Sequence, residues 1–360
     1  MNKIHPIRLH PKLDSRLWGG QRLARWLGLP EPLPTHLAEA WLIYAQNRIQ
    51  NGEFAQRTLA QAARALGQTL LGTESHARYG LDFPQLTKFI DANARLSIQV
   101  HPDDTYAHSV EAHTHFHGKT EAWYILHAQP DANIIYGLQR PSSRHEFQQA
   151  VQKGELETLI NILPVKTGDV IYVPAGTLHA INQGILLFEV QQSSDLTYRV
   201  YDYQRRGPDG QMRPLHLQKA LDVMAFHPPA QEQIPPLALG PGRDLLIASP
   251  HFALERHHYV EIKQLSTRPT SFETWTVIQG TAQIAGETLR TGQALLLPAQ
   301  LGPFAIEPQG QTTLLRTLYP NIQQDYLIPL QRLGYSAHRI AQTVKQQTTS
   351  KPATNAREHP

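Results

Sequence analysis

Two segments of this chain repeat one another. Gly168-Asp-Val-Ile-Tyr-Val-Pro174 and Gly292-Gln-Ala-Leu-Leu-Leu-Pro298 each run from a glycine through an apolar stretch to a proline. Glu121-Ala-Trp-Tyr-Ile-Leu126 and Glu273-Thr-Trp-Thr-Val-Ile278 echo each other in the same order. A glycine that turns the chain, a short apolar run and a proline that cannot donate to a ladder describe a strand with both ends punctuated. Two copies of one small β unit follow. The copies part at a position that matters for chemistry, because five residues past the proline the first has His179 and the second Pro303. A proline side chain holds no metal, so the second copy is expected to be metal-free.

The 27 prolines and 23 glycines among 360 residues suit a mainly β, turn-rich architecture. At this length, with 41% apolar residues, two domains are expected. The stiff proline-rich connector 227–236 is the natural boundary. The expected division is 1–230, 231–335 and a polar, disordered tail over 336–360. Helical spacing at Leu59, Ala63, Leu66 and Leu70 predicts one helix over 55–72, stopped by Gly72. A capping box at Ser143 with Glu146 announces a second, ended by Gly154, and Leu217, Leu221 and Met224 mark a third. Trp18-Gly19-Gly20 reads as a tight corner, and 39–43, 96–100, 170–173 and 186–190 read as strands.

There is no cysteine, so thiolate sites are excluded and any metal must use nitrogen and oxygen ligands. The formal charge of +3 is small, and no lysine or arginine run suggests nucleic acid. No apolar run is long enough to cross a membrane and the N-terminal stretch lacks an apolar signal core, so a cytoplasmic protein is expected. Oligomeric state is not legible.

Donor groups interrupt three of the apolar runs. Gln99 and His101 stand two residues apart, which puts both on one face of a strand. Glu121 opens another strand, and His179 follows a Pro-Ala-Gly turn. The segment from Gly168 to His179 resembles the second motif of the cupins: glycine, strand, Pro-x-Gly, histidine. For the first motif two patterns compete. His115-Phe-His117 with Glu121 matches the generic His-x-His-x3-Glu, but His113, His115 and His117 alternate in a polar stretch that reads as loop, whereas Leu96–Val100 reads as core strand.

A longer resemblance decides between them. The segments 83–104, 118–125, 168–181 and 188–203, with Trp18-Gly19-Gly20 and Glu39-x-Trp41, are similar to the type I mannose-6-phosphate isomerases in their shorter bacterial form. Ala38 stands where a glycine is common. The likeness is strong over roughly residues 5–230 and weak beyond. It implies two cupin-type jelly-roll barrels with helical insertions in the N-terminal, catalytic part. It also implies one Zn2+ held by Gln99, His101, Glu121 and His179, with Lys119, Glu189 and Arg199 in the active site.

The implied reaction interconverts mannose 6-phosphate and fructose 6-phosphate through a cis-enediolate, so the expected partner is a small sugar phosphate. Such chemistry needs a Lewis acid, a proton carrier and cationic groups for anionic oxygens. Glu189, Lys119 and a water remain open as the base. Lys88 and Asp91 read as a structural ion pair. Another metal-dependent cupin enzyme, such as an iron dioxygenase, or a non-catalytic sugar-phosphate binder are the other readings.

Overall fold

The computed structural model describes residues 4–207, 210–230 and 233–346. The first half carries eleven strands: β1 (Lys12–Gly20), β2 (Leu37–Ile43), β3 (Gln85–Ala92), β4 (Ile98–Val100), β5 (Glu121–Ala128), β6 (Asn133–Leu138), β7 (Ile160–Pro164), β8 (Val170–Val173), β9 (His179–Ile181), β10 (Ile185–Gln192) and β11 (Tyr198–Tyr201). They form two antiparallel sheets, in the orders β1-β2-β3-β10-β5-β8 and β11-β4-β9-β6-β7. The second half repeats the plan with β12 (Leu237–Gly240), β13 (Arg243–Ala248), β14 (Ala253–Tyr259), β15 (Lys263–Ser266), β16 (Glu273–Gln279), β17 (Thr281–Ile284), β18 (Glu287–Arg290), β19 (Ala294–Leu297), β20 (Pro303–Pro308) and β21 (Thr312–Leu318). Here the orders are β12-β13-β14-β21-β16-β19 and β15-β20-β17-β18. Among the described residues no helix is long and apolar enough to cross a membrane.

The central strands β3 and β10 are buried along their whole length, which explains why they read as continuous apolar runs rather than alternating ones. One face of β10 carries Leu186, Phe188 and Val190. These pack in a core shared with Leu246, Leu254, Phe272 and Leu315 of the second half. The other face carries Ile185 and Leu187, which meet Ile134 and Ile181 of the facing five-stranded sheet. Strand period therefore puts Glu189 on the Leu187 face, Glu121 on the Trp123 face and Lys88 on the Ile90 face, all toward the facing sheet.

Several expectations are corrected. Trp18-Gly19-Gly20 is the end of strand β1, not a corner. Gly19 serves close approach, since a Cβ there would lie 2.3 Å from the His36 carbonyl oxygen. The 55–72 helix is two pieces, Leu59–Leu66 and Gln68–Leu71, because Gly67 takes φ +51° and breaks the ladder. The Ser143 hydroxyl caps Glu146 N–H, but the Glu146 carboxylate turns to Arg140 and Ser142, so only half of the box forms. Residues 337–343 are a helix rather than tail: Ser336 caps it, and Ile340 is buried against Leu245, Leu318 and Leu330. The rest of the expected tail, from 347, lies outside the described residues.

Candidate active site

Both sheets of the first half contribute to one pocket. In the five-stranded sheet the register pairs Gln99 with His179 on one side and with Arg199 on the other. In the six-stranded sheet Glu189 stands opposite Lys88 and Trp123. The pocket, about 320 Å³, is lined by these residues together with Arg16, Trp18, Glu39, Trp41, Lys119, Glu121 and Arg213. A larger, more apolar cavity of about 440 Å³, near Ile98, Ile135 and Tyr203, contains none of the candidate groups.

At the floor, the ligating atoms of His101, Glu121 and His179 lie within 4.8 Å of one another, and all three residues are buried. Glu121 Oε1 is 3.3 Å from His179 Nε2, and Glu121 Oε2 is 3.5 Å from His101 Nε2. Each imidazole is oriented from behind: His101 Nδ1 is 2.8 Å from the Leu196 carbonyl, and His179 Nδ1 2.8 Å from the Thr177 carbonyl. Donating Nδ1–H to a carbonyl leaves the Nε2 lone pair facing inward, the arrangement that suits a metal-binding histidine. Burial, with Lys119 and the His179 ring adding to it, pushes the His101 pKa well below its ordinary value. Burial likewise lowers that of His179 to about 4, so both rings are neutral at pH 7.

Gln99 completes the group, its Nε2 lying 3.4 Å from His179 Nε2. A half-turn of the amide presents the oxygen, the ligating atom, at the same place. Glu121 Oε2 is buried, with the Lys119 ammonium and His101 Nε2 as its polar neighbours. Two neutral imidazoles, a buried carboxylate and an amide oxygen fit a divalent cation that accepts mixed nitrogen and oxygen ligands. Lys119 Nζ stands 2.9 Å from Glu121 Oε2 and 3.0 Å from His101 Nε2.

The wall is a chain of buried charges. Lys88 Nζ bridges Glu39 Oε1 at 3.0 Å and Glu189 Oε1 at 3.2 Å. Trp41 Nε1 donates to Glu39, and Trp123 Nε1 donates to Glu189 at 2.9 Å. Burial works to raise the Glu39 pKa, but Lys88 and the two hydrogen bonds outweigh it and hold it below the ordinary value. For Glu189, burial and the nearby Glu121 charge prevail over Lys88 and raise it. The expected Lys88–Asp91 pair does not form: Lys88 pairs instead with Glu39 and Glu189 and lines the pocket. Asp91 is elsewhere, accepting Leu23 N–H and lying 3.6 Å from Arg22.

At the mouth, Arg199 Nη1 donates to the Pro214 carbonyl while its buried Nε has no partner. Burial and the neighbouring Arg213 guanidinium press the Arg199 pKa down, the mark of a cation short of counter-charge. Arg213 is held by both oxygens of Asp202, and Arg16 pairs with Asp14. Arg16, Arg213 and Lys88 were not singled out from sequence as site residues. They come from an exposed strand, a connecting loop and a buried strand, and no local pattern links them.

The histidine tract is not at this floor. His113 and His115 are exposed in a turn, and His117 Nδ1 lies 2.9 Å from His108 Nε2. Asn182 bonds Asn133.

The chain is similar to known proteins over most of its length. The profile described as phosphomannose isomerase type I, catalytic domain, matches residues 7–134. The mannose-6-phosphate isomerase of Streptococcus mutans serotype c is 36% identical over 301 residues, spanning 81% of this chain and 92% of that protein. The crystal structure of the Bacillus subtilis mannose 6-phosphate isomerase superposes with a TM-score of 0.77 at 32% identity, covering 87% of this chain and 99% of that one. A zinc-bound mannose 6-phosphate isomerase structure shares the fold at a TM-score of 0.70 and 16% identity, covering 86% of this chain and 98% of that one. With relatives this similar over more than two thirds of its length, the chain belongs to the type I phosphomannose isomerases.

Proposed function

We propose that the protein interconverts mannose 6-phosphate and fructose 6-phosphate, using one zinc ion held by Gln99, His101, Glu121 and His179. The observation that carries the reading is the convergence of the three buried donors His101, Glu121 and His179, with both imidazoles turned inward by backbone carbonyls. Zinc supplies a Lewis acid for the sugar carbonyl when bound. The zinc-bound relative, whose fold this chain shares, lends the metal assignment support.

The side chains divide the remaining work. Glu189, its pKa raised by burial, is suited to take a proton from the carbon beside the carbonyl and return it to the neighbouring carbon. Lys88 and Trp123 hold its carboxylate in place. Lys119, anchored on Glu121, offers an ammonium to the negative charge that grows on the cis-enediolate oxygens. Arg199, its guanidinium bonded among the described residues only through Nη1, offers its remaining N–H groups to the phosphate or the enediolate, with Arg16 and Arg213 adding positive potential. The sheet pairs of the two halves support reading each as a cupin jelly roll, 1–230 catalytic and 231–335 a second unit without a metal.

A coupled assay for fructose 6-phosphate formation, run alongside metal analysis, tests the proposal. Activity that disappears on chelation and returns with zinc supports it. Full activity in metal-free protein, or metal-bound protein without isomerase activity, overturns it.

A further inference from the structure

Asp104, His108 and His117 form a second group whose ligating atoms lie within 4.8 Å of one another. We infer that they constitute a second divalent-metal site, separate from the active-site donors and independent of the function proposed above.

The geometry favours a shared cation over a chance meeting of rings. His108 Nε2 and His117 Nδ1 face each other at 2.9 Å. Two nitrogens on one tetrahedral zinc lie about 3.3 Å apart, given metal–nitrogen bonds of about 2.0–2.1 Å, so the rings need open by only a few tenths of an ångström. Asp104 is already oriented: its Oδ1 accepts Gly118 N–H at 2.9 Å and Gln192 Nε2 at 2.8 Å. His117 is stacked edge-on against Tyr79 at 4.9 Å. The His108 ring is at the surface, so an ion reaches the group from solvent. Two imidazoles and one carboxylate select a zinc-like ion over calcium or magnesium. Arg78, 3.2 Å from Asp104 Oδ2, opposes the cation, so this site is expected to be the weaker of the two.

The location gives the site a role. Asp104 and His108 lie on the short helix Asp104–Ser109, just after His101, and His117 lies just before Lys119 and Glu121. A cation bridging them ties together two segments of the fold, one following His101 and one preceding Lys119.

Zinc content and zinc-dependent melting of the full chain test this. Wild type dialysed against excess zinc should hold about two ions per chain, and His108→Ala and His101→Ala about one each. Zinc added beyond the first equivalent should raise the wild-type Tm by several degrees and leave His108→Ala unmoved. His108 is exposed, so its loss should not unfold the protein, and His113→Ala, outside the group, should behave as wild type. Identical zinc content and melting in wild type and His108→Ala would overturn the second site and reduce the ring pair to a hydrogen bond. A single ion lost on His101→Ala alone overturns it while leaving the active-site reading intact. A single ion lost on His108→Ala alone upholds it and removes the active-site metal instead.

Discussion

Glu189 and Arg316 occupy equivalent places in the two halves and carry opposite charges. Each stands in register with the tryptophan of the neighbouring strand, Glu189 with Trp123 and Arg316 with Trp275. The inversion continues across the sheet. Glu189 lies opposite Lys88, whereas Arg316 lies opposite Glu255. Glu39 pairs with Ile90, two residues beyond Lys88, and Arg243 pairs with His257, two residues beyond Glu255. The first half thus reads acid, base, acid and the second base, acid, base. With Glu121 and Glu273 added, these strand positions set two carboxylates against two guanidinium groups in the second half, but three carboxylates, Glu39, Glu121 and Glu189, against the single ammonium of Lys88 in the first.

Arg316 should therefore be indispensable to stability though remote from the chemistry. Its guanidinium donates to Glu273 and Glu255, and it is almost wholly buried. Arg316→Met leaves buried Glu273 without its cation and Glu255 with Arg243 alone, and should cost about 3–5 kcal/mol in urea unfolding. In the fraction that stays folded, kcat should be near the wild-type value. A loss of kcat with unchanged stability would contradict this division.

Acid should act on the same network. Burial tends to raise the Glu255 pKa, but Arg316, the His257 hydrogen bond and Arg243 override it and hold it well below 4.5. A depressed folded pKa means that stability is present above the unfolded value, near 4.5, and is lost as pH falls toward the folded one. Unfolding free energy should thus fall more steeply below about pH 4.5 in wild type than in Glu255→Gln. Parallel profiles for the two proteins would remove Glu255 from this role.

The active-site donors can be separated from the histidine tract by substitution. His101→Ala and His179→Ala should abolish isomerase activity and the tightly held ion, because each removes one of few buried ligands. His117→Ala should retain that ion and most of its activity. Metal analysis after gel filtration, paired with kinetics, reads the difference. The reverse pattern would move the active metal to the tract.

Arg199 is the group for which a conservative change should be most revealing. Lysine keeps the charge but loses the planar fork, so Arg199→Lys should be impaired along with Arg199→Ala. The loss should be about ten- to a hundredfold, the worth of a charge-assisted hydrogen bond of about 1.5–3 kcal/mol. A contact to the enediolate lowers kcat and kcat/KM together, whereas a phosphate contact raises KM alone. Wild-type kinetics in both variants, at unchanged Tm, would leave Arg199 as wall structure.

What the sequence makes legible is what local chemistry determines. The strand that ends in Pro174 and the turn before His179 are written within one short stretch. The period-2 rule likewise places Glu121 with Trp123 and Glu189 with Leu187. Lys88 is legible as a charged residue of a core strand, but neither its partners nor its place in the pocket can be read. Its partners Glu39 and Glu189 lie on flanking strands, and only the sheet order brings them together. Arg16 and Arg213 are invisible for the same reason. The break at Gly67 was masked by apolar spacing that continues across it, and the helix at 337–343 by its polar surface, since Ile340 and Thr343 are its buried residues.

The core shared by the two halves has a consequence for any attempt to divide the chain. Phe89, Phe188 and Val190 pack with Leu246, Leu254, Phe272 and Leu315 in one continuous cluster. Cutting at the proline-rich connector would therefore leave a broad greasy wall facing water on each fragment. A fragment covering 1–230 should aggregate on expression even though it holds every proposed catalytic group, and should recover only when co-expressed with its complement. The second half would then be a permanent internal chaperone for the surface it covers.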